Sequence, residues 1–445
     1  MNLRVTPGSP LVGEIGDAPD LSLPGDKSLS HRAALFAALA EGESHIENFQ
    51  VSGVTRPMLA ALAALGIPWE LQDATLRIQG FGLQGLKPPA GFIDCGNSAT
   101  TLRLLAGALA AAGIPAVLDG SPGLRSRPMG RIVAPLQQMG VPIEAAAGDT
   151  APLRLSARLR GERLKPLDYT LPQASAQVKS CLLLAALAAD GVTILREPVP
   201  SRDHTERMLR AMGVSVIQTD DNTVSLTPPS PARLLPLQVK LPGDFSAAAF
   251  LIVAALVTPG SSLVLRGVGL NPGRTGLLDA LVSMGADIQV CPLAEQGGEP
   301  LGEIRVRYSR LHGAQVSGSL GVRMIDEFPA LAIAAAYAQG RTVVKDVAEL
   351  RYKESDRISA LRQQLHRLGV QMDEQPDGFS ILGGQSIQAG SVEPAGDHRL
   401  AMALAVAGLA AAGPVEVRQA DVIAESFPQF VTVLKGLGGR VECLP

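Results

Sequence analysis

One pattern occurs six times along this chain, and the repeat restricts the possible folds more than any other feature. Each copy has a polar turn, an Ala- and Leu-rich run, a glycine and a β-branched stretch, as in PGDKSLSHRAALFAALAEGESHIEN at 24–48. The copies begin at Pro24, Gly96, Pro172, Pro242, Ile325 and Gly396, a spacing of about 70 to 83 residues. Strands within so long a period favour a repeated α/β unit over a helical solenoid.

A second, amphipathic run follows each apolar run and ends in a glycine before an alternating strand. These glycines are Gly66, Gly140, Gly213, Gly285, Gly369 and Gly438. Glycine adopts the left-handed conformation that ends a helix, so each unit is predicted to be βαβαββ. The first helix is apolar on all sides, which predicts burial, and the charged face of the second predicts an outward position.

The repeat also divides the chain into halves. LPGDKS at 23–28 recurs as LPGDFS at 241–246, and PPSPARLLPLQVK at 228–240 favours an extended crossing just before the second copy. We therefore expect an α/β protein of two lobes, 24–240 and 1–23 plus 241–445. Each lobe should contain three pseudo-symmetric units with buried helices sheathed by sheets, and the active site should lie in the cleft between the lobes.

Charge and composition exclude several classes of protein. The chain has 39 Lys and Arg against 42 Asp and Glu, so it has no global basic field for nucleic acid. Its longest apolar stretches, 245–257 and 400–412, are shorter than the ~18 residues that cross a bilayer, and its first 20 residues do not resemble a secretory signal. The four cysteines lie far apart, which is typical of reduced thiols. We expect a cytoplasmic monomer that binds neither nucleic acid nor membrane.

Cations at the predicted helix starts indicate local anion binding. Helix N-termini offer unpaired N–H groups and a partial positive charge. Polar residues there, such as Asn97 and Ser175, are explained by capping alone. Lys27 and Arg399 are opposed by the helix dipole, so a bound anion explains them better. Two more basic segments occur at 123–131 and 351–357, although a salt-bridged surface would explain the latter equally well.

Common nucleotide, metal and nucleophile motifs do not occur in the sequence. GDKS at 25–28 lacks the first glycine of a P-loop, and GVG at 267–269 misses the dinucleotide-binding spacing. Neither H-E-x-x-H nor G-x-S-x-G is found. We therefore expect no cofactor and no metal.

Six sequence blocks in order carry a family resemblance: LPGDKSLSHRA at 23–33, GNSATTLR at 96–103, RPM at 127–129, IDEFPALA at 325–332, RYKESDR at 351–357 and GDHRLAMALA at 396–405. With these blocks the sequence closely resembles the EPSP synthases, or 3-phosphoshikimate 1-carboxyvinyltransferases. The resemblance implies the enolpyruvyl transferase fold, an inside-out α/β barrel in each lobe. It also implies transfer of the enolpyruvyl group from phosphoenolpyruvate to the 5-hydroxyl of shikimate 3-phosphate, in aromatic amino-acid biosynthesis.

The resemblance also assigns residue roles. For shikimate 3-phosphate the matching residues are Lys27, Ser28, Arg32, Ser175, Ala176, Gln177, Ser201, Arg202, Asp326 and Lys353. For phosphoenolpyruvate they are Lys27, Asn97, Ala99, Thr100, Arg127, Gln177, Arg357 and Arg399. Asp326 corresponds to the proton acceptor for the 5-hydroxyl, and Glu354 or Lys27 would deliver a proton to C3 of phosphoenolpyruvate, so these three are the predicted catalytic residues.

Three positions depart from the patterns common in this family. Ala176 lacks a hydroxyl that many members have before the glutamine. Ala99 stands where glyphosate-sensitive members have Gly, and Glu425 stands where they often have Lys. The resemblance is therefore to the class II, glyphosate-tolerant type, and we expect weak inhibition because the Ala99 methyl would intrude on glyphosate, which is longer than phosphoenolpyruvate.

Two other functions stay open. UDP-N-acetylglucosamine enolpyruvyl transferases share the six-repeat fold, but they have S-G-A-K-N at the first helix and a cysteine in a mobile loop. This chain has PGDKS at 24–28 and no cysteine between Cys95 and Cys181. A non-catalytic phosphometabolite-binding protein would gain nothing from Asp326 and Glu354, because carboxylates facing an anionic ligand repel it. Phosphate release from phosphoenolpyruvate with each acceptor separates the three functions.

Overall fold

The structure of the chain is a computed structural model that describes residues 1–16, 18, 20–159, 161–220, 222–230 and 233–444. Within the predicted crossing at 228–240, Pro231 and Ala232 lie outside the described residues. No helix in the described ranges is both long and apolar enough to span a membrane.

The chain divides into two compact units, each with its own apolar core. The N-terminal unit comprises Gly25–Leu241 and Glu295–Glu299, and the C-terminal unit comprises Met1–Pro24, Pro242–Ala294 and Pro300–Pro445. The short segment Glu295–Glu299 thus belongs to a different unit from the residues on either side of it.

In chain order the strands are β1 (Asn2–Thr6), β2 (Val12–Ile15), β3 (Glu41–Glu47), β4 (Trp69–Gln72), β5 (Thr75–Phe81), β6 (Ile93–Asp94), β7 (Ala116–Asp119), β8 (Ile143–Ala146), β9 (Thr150–Leu155), β10 (Asp168–Thr170), β11 (Thr193–Arg196), β12 (Ser215–Asp220), β13 (Thr223–Thr227), β14 (Gln238–Lys240), β15 (Ser262–Gly269), β16 (Asp287–Pro292), β17 (Leu301–Arg307), β18 (Gln315–Val316), β19 (Gly340–Val344), β20 (Gln371–Gln375), β21 (Gly378–Gly383), β22 (Gly390–Val392), β23 (Val415–Val417) and β24 (Arg440–Leu444).

The helices are α1 (Lys27–Leu39), α2 (Arg56–Ala64), α3 (Ala99–Ala112), α4 (Pro122–Arg125), α5 (Gly130–Gln138), α6 (Ala176–Ala186), α7 (His204–Ala211), α8 (Phe245–Val257), α9 (Gly276–Ser283), α10 (Ser319–Arg323), α11 (Phe328–Tyr337), α12 (Arg357–Arg367), α13 (His398–Ala407) and α14 (Phe430–Gly436). Short 3₁₀ helices lie at Leu83–Gly85, Ala348–Tyr352 and Ala420–Glu425.

The sheets confirm the predicted βαβαββ units. In the described ranges the strands form six four-stranded sheets, with orders β14-β3-β5-β4, β6-β7-β9-β8 and β10-β11-β13-β12 in the N-terminal unit and β2-β15-β17-β16, β18-β19-β21-β20 and β22-β23-β1-β24 in the C-terminal unit. In each sheet the first pair is parallel and the other two pairs are antiparallel. In four of the six sheets the parallel pair flanks the apolar helix of its repeat along the chain, because parallel strands need a crossover connection.

Three of the sheets take a strand from a distant part of the chain. β14 follows the third repeat but pairs with β3 of the first, with Val239 opposite Ile46. β2 pairs with β15. β1 inserts between β23 and β24, with Leu3 opposite Val417. Each of these three strands is the fourth strand of a sheet whose other three strands come from a single repeat elsewhere in the chain.

The apolar helices form the two cores, as their composition predicts. All 13 residues of α8 are buried. By contrast, α7, the second helix of the third repeat, buries one face and exposes the other. In the N-terminal unit α3 packs so closely on α6 that a Cβ at Gly107 would lie 2.2 Å from the carbonyl oxygen of Cys181. The glycines that end the second helices all have positive φ, from 79° at Gly66 to 101° at Gly438, which confirms their predicted conformation.

Candidate active site

A polar N-cap residue precedes each buried helix of the N-terminal unit. Asp26, Ser98 and Ser175 precede α1, α3 and α6, and each side chain accepts a backbone N–H of the following turn, at 2.9, 3.1 and 3.4 Å. Lys27 and Ala99 are therefore the first residues of their helices. The N-caps satisfy only some of the N–H groups of these first turns, which leaves others for an anion.

His31 joins the starts of α1 and α3. Its Nδ1 lies 2.8 Å from the carbonyl oxygen of Lys27, and its Nε2 lies 3.2 Å from the hydroxyl of Ser98. Burial lowers the pKa of this side chain to about 4, so the imidazole is neutral at pH 7. A neutral, buried histidine thus holds two of the predicted ligand-binding turns together.

Gln177 is oriented by residues on both sides. Arg103 Nη1 donates to its side-chain oxygen at 2.5 Å, and its own amide nitrogen donates to the Thr100 hydroxyl at 2.9 Å. Arg103 also donates to the carbonyl oxygen of Pro128 at 2.9 Å. Arg103, to which the family resemblance assigns no role, thus connects Gln177 to the residue after Arg127, and Gln177 in turn contacts Thr100. The position of Arg103 one turn into a buried, apolar helix is the sequence signal that could have identified it.

Arg32 is almost completely buried beneath Ser28. It donates to the Thr205 hydroxyl at 2.8 Å, the Ser180 hydroxyl at 2.8 Å and the Ser28 carbonyl oxygen at 3.0 Å. Its exposed fraction is 2%, and burial lowers its pKa to about 10. These contacts use three of its five N–H donors. Arg32 therefore holds the backbone at Ser28 in place, and its guanidinium adds positive charge beneath that turn.

Ser175 and Ser201 lie in neighbouring loops. Their backbone N–H groups donate to the same carboxylate, Glu197, at 3.1 and 3.2 Å. In the described part of the chain, two buried polar atoms near the predicted ligand positions, Ser201 Oγ and Arg127 Nε, have no hydrogen-bond partner. Buried polar atoms in folded proteins are rarely unpaired, so these two are candidates to contact a ligand.

In the C-terminal unit, Arg357 lies at the centre of a buried ionic cluster. It donates to Asp397 at 2.8 Å and to Glu354 at 2.6 Å, and its Nη1 lies 3.5 Å from Asp326. Its side chain has no exposed surface. Burial opposes its charge, but Asp397, Glu354 and Asp326 outweigh that effect and raise the pKa of Arg357 above its ordinary value.

Asp326 is surrounded by cations. Besides Arg357, its carboxylate lies 3.9 Å from Arg399 and 4.0 Å from Lys353. Arg399 also donates to the Asp326 backbone carbonyl at 3.1 Å. Burial lowers the pKa of Lys353. The Asp326 side chain retains 17% exposure, so a carboxylate accessible to a ligand lies among three positive groups.

The predicted residues thus fall into two sets. Those in the N-terminal unit are Lys27, Ser28, Arg32, Asn97, Ala99, Thr100, Arg127, Ser175, Ala176, Gln177, Ser201 and Arg202. Those in the C-terminal unit are Asp326, Lys353, Glu354, Arg357 and Arg399, which form the Arg357 cluster. Glu425 lies 3.6 Å from buried His398, the residue before Arg399. Within the described ranges no group of three or more His, Cys, Asp or Glu side chains could hold a metal ion.

A family model and curated relatives match nearly the whole chain. The family model described as EPSP synthase (3-phosphoshikimate 1-carboxyvinyltransferase) matches residues 5–434. The 3-phosphoshikimate 1-carboxyvinyltransferase of Xanthomonas oryzae pv. oryzae is 50% identical over 423 residues, covering 95% of this chain and 94% of its own. That of a Synechococcus strain is 49% identical over 440 residues, covering 98% and 96%.

A solved structure gives the same result for the fold. The EPSP synthase from Acinetobacter baumannii superimposes with a TM-score of 0.87 and 38% identity, covering 100% of both chains. Fold, repeat order and sequence identity agree over almost the full length, and the chain belongs to the EPSP synthase family.

Proposed function

We propose that this chain carries out the reaction of its family with the residues of the two clusters described above. The enzyme transfers the enolpyruvyl group of phosphoenolpyruvate to the 5-hydroxyl of shikimate 3-phosphate and releases phosphate. The observation that carries the assignment of the site is Asp326, a partly exposed carboxylate within 4.0 Å of Lys353, Arg357 and Arg399.

Shikimate 3-phosphate binds mainly to the N-terminal unit. Ser175, Ser201 and Arg202, with the backbone at Ala176, hold its phosphate, while Ser28 and Arg32 hold its carboxylate and Gln177 packs on its ring. The unpaired hydroxyl of Ser201 supports this assignment. Lys353 adds a positive charge at the phosphate, and Asp326 lies at the 5-hydroxyl.

Phosphoenolpyruvate binds at the start of α3 and at the Arg357 cluster. Its contacts are Lys27, Asn97, Ala99, Thr100, Arg127, Gln177, Arg357 and Arg399. Arginines bind phosphate and carboxylate groups through paired, charge-assisted hydrogen bonds. The unpaired Nε of Arg127 supports its share in this contact.

The reaction proceeds by addition and then elimination. Asp326 accepts the proton of the 5-hydroxyl as that oxygen bonds to C2 of phosphoenolpyruvate, and Glu354 or Lys27 delivers a proton to C3. A proton then leaves C3, the C2–C3 double bond forms again, and the C2–O bond to phosphate breaks. Proton transfer of this kind requires carboxylates within reach of substrate and separated in role by their surroundings. Glu354, held at 2.6 Å by Arg357, is fixed for that role.

The chain is further proposed to be of the class II, glyphosate-tolerant type. Ala99 is the first residue of α3 and is buried; its methyl group is proposed to narrow the space at the end of the phosphoenolpyruvate site. Glu425 lies 3.6 Å from His398, the residue before Arg399, and we propose that its charge repels the inhibitor's phosphonate. We place the enzyme in the cytoplasm, since all four cysteines are free, as in a reducing compartment. We further propose that it is a monomer.

A phosphate-release assay tests the function. Purified full-length protein is incubated with phosphoenolpyruvate and either shikimate 3-phosphate or UDP-N-acetylglucosamine. We expect phosphate release only with shikimate 3-phosphate, and mass spectrometry should find the enolpyruvyl ether of that acceptor. Release with the UDP-sugar instead would assign the other transferase activity, and release with neither would favour a binding protein.

A further inference from the structure

Glu197, just after β11, is almost completely buried and accepts hydrogen bonds from three donors. Its Oε1 accepts the backbone N–H of Ser175 at 3.1 Å, and its Oε2 accepts the backbone N–H of Ser201 at 3.2 Å and the ammonium of Lys179 at 2.7 Å. The first two donors belong to different loops, one leading into α6 and the other into α7. A single carboxylate therefore ties together the two loops that carry these serines.

The positive charge of Lys179 stabilises the buried carboxylate of Glu197. Its ammonium lies 2.7 Å from Glu197 and 2.8 Å from Glu206 on α7, and it donates to the Ser201 carbonyl at 3.4 Å. Burial opposes the charge of Lys179, but Glu206 and Glu197 outweigh that effect and raise its pKa. The lysine is therefore charged at neutral pH and compensates the negative charge that Glu197 would otherwise present to an anion nearby.

The chemistry of the three donors leaves little choice of side chain at position 197. All three partners of Glu197 are N–H groups, so the side chain there must accept at both ends. An amide of the same shape would direct its NH₂ group at an N–H donor and leave the pairing incomplete. Glu206, by contrast, contacts the lysine and neither backbone N–H of the serines.

We propose that Glu197, held by Lys179, is a positioning residue for the phosphate of shikimate 3-phosphate: it fixes Ser175 and Ser201 at the spacing that the phosphate oxygens require. The inference rests on the proposed function of these serines. Because Glu197 takes up the two backbone N–H groups, the phosphate meets the side chains of the two loops, including the unpaired hydroxyl of Ser201. Loss of the tie would let both loops shift, and displacements near 1 Å can cost about a hundredfold in binding or rate.

Steady-state kinetics of the full-length enzyme test this role. Glu197→Gln should raise the KM for shikimate 3-phosphate by about ten- to a hundredfold, while the KM for phosphoenolpyruvate stays near the wild-type value. Glu197→Asp, which keeps the charge and the pairing with Lys179 but cannot reach both loops, should show the same selective rise. It provides a second measurement if the glutamine variant does not fold.

Two matched variants serve as controls. Glu206→Gln removes the same charge from the same buried cluster but leaves the tie intact, so its KM for shikimate 3-phosphate should equal or fall below that of the wild type. Glu303→Gln removes a buried carboxylate that accepts from Arg266 and Arg305 at 2.6 and 2.7 Å in a sheet of the C-terminal unit. It should leave both KM values unchanged.

The possible results test the positioning role of Glu197 separately from the proposed enzymatic function. Equal KM changes in the Glu197→Gln and Glu206→Gln variants would show that charge alone matters and would overturn the positioning role. A rise in both KM values together, or a fall in kcat alone, would indicate a general loss of structure and would also overturn it. A wild-type enzyme that does not convert shikimate 3-phosphate would instead contradict the proposed function.

Discussion

The guanidinium of Arg357 donates to the carboxylate of Asp397 at 2.8 Å, and neither side chain has any exposed surface. The other oxygen of Asp397 accepts the backbone N–H of Arg399 at the start of α13, and Arg357 is the first residue of α12. One carboxylate therefore fixes the starts of two helices, each of which carries an arginine proposed to bind phosphoenolpyruvate.

Asp397→Asn should destabilise the C-terminal unit by about 2 kcal/mol, because it removes the one fully buried anionic partner of Arg357 and leaves Glu354 and Asp326 to compensate the guanidinium. Asparagine can still cap α13, so the loss measures the contact with Arg357 rather than the cap. Urea unfolding followed by circular dichroism measures the change. Asp373→Asn, in an exposed pair with Arg341, is the control and should leave the midpoint unchanged. Equal midpoints for both variants would contradict the prediction.

Asp326→Asn should lower kcat by roughly a hundredfold to ten-thousandfold, because the amide cannot accept the proton of the 5-hydroxyl. The amide has nearly the same shape, so the KM values should change far less than kcat. Initial rates of phosphate release over a range of both substrates measure the two effects separately. A variant that retains wild-type kcat would exclude Asp326 as the proton acceptor.

Deuterium incorporation distinguishes the two candidates for the C3 proton. In D₂O the wild-type enzyme should place deuterium in the methylene group of the product, because addition delivers a deuteron to C3 and elimination can then remove one of the two protons of the resulting CH₂D group. If Glu354 delivers the proton, Glu354→Ala should abolish incorporation in single-turnover experiments and Lys27→Ala should retain it. The reverse result would assign the role to Lys27.

The repeat made much of the fold predictable, because an all-apolar helix such as α8 can only be buried and a glycine such as Gly66 marks a helix end. The pairing partners of the borrowed strands were not predictable: β14 has three residues and pairs with a strand nearly two hundred positions away, which leaves no periodic signal. In the site, the cations at helix starts could be named in advance. The supporting residues Lys179 and Glu197 could not, because only the fold shows that they share a buried contact.

Ala99→Gly should increase inhibition by glyphosate by about ten- to two-hundredfold, the range that one methyl group provides in a closely packed pocket. Removal of the Ala99 methyl at the start of α3 gives the longer inhibitor more room, while phosphoenolpyruvate already fits. Inhibition constants measured against phosphoenolpyruvate test the effect, and Ala112→Gly at the other end of α3 controls for a change in helix stability. Unchanged inhibition in the Ala99→Gly variant would refute the steric explanation.

His31 should make the N-terminal unit less stable in mild acid. Burial lowers its pKa from 6.5 to about 4, and the positive charges of Lys27 and Arg32 act in the same direction. Between these two values the unfolded chain binds a proton at His31 and the folded chain does not. The free energy of unfolding therefore falls as the pH drops from 6.5 to 4, and this residue accounts for about 3 kcal/mol of that fall.

The measurement compares unfolding of the wild type and His31→Gln from pH 7 to pH 4. At pH 7 the variant should be less stable than the wild type, because it loses the contacts of the imidazole to Lys27 and Ser98. Glutamine does not titrate, so the stability of the variant has no pH-dependent contribution from position 31. The difference should shrink steadily as the pH falls, because the wild type alone loses the contribution of His31. Trp69, the single tryptophan, lies in the N-terminal unit, so its fluorescence reports on the unit in question. Parallel stability curves for the two proteins would mean that His31 does not titrate differently in the folded and unfolded chains.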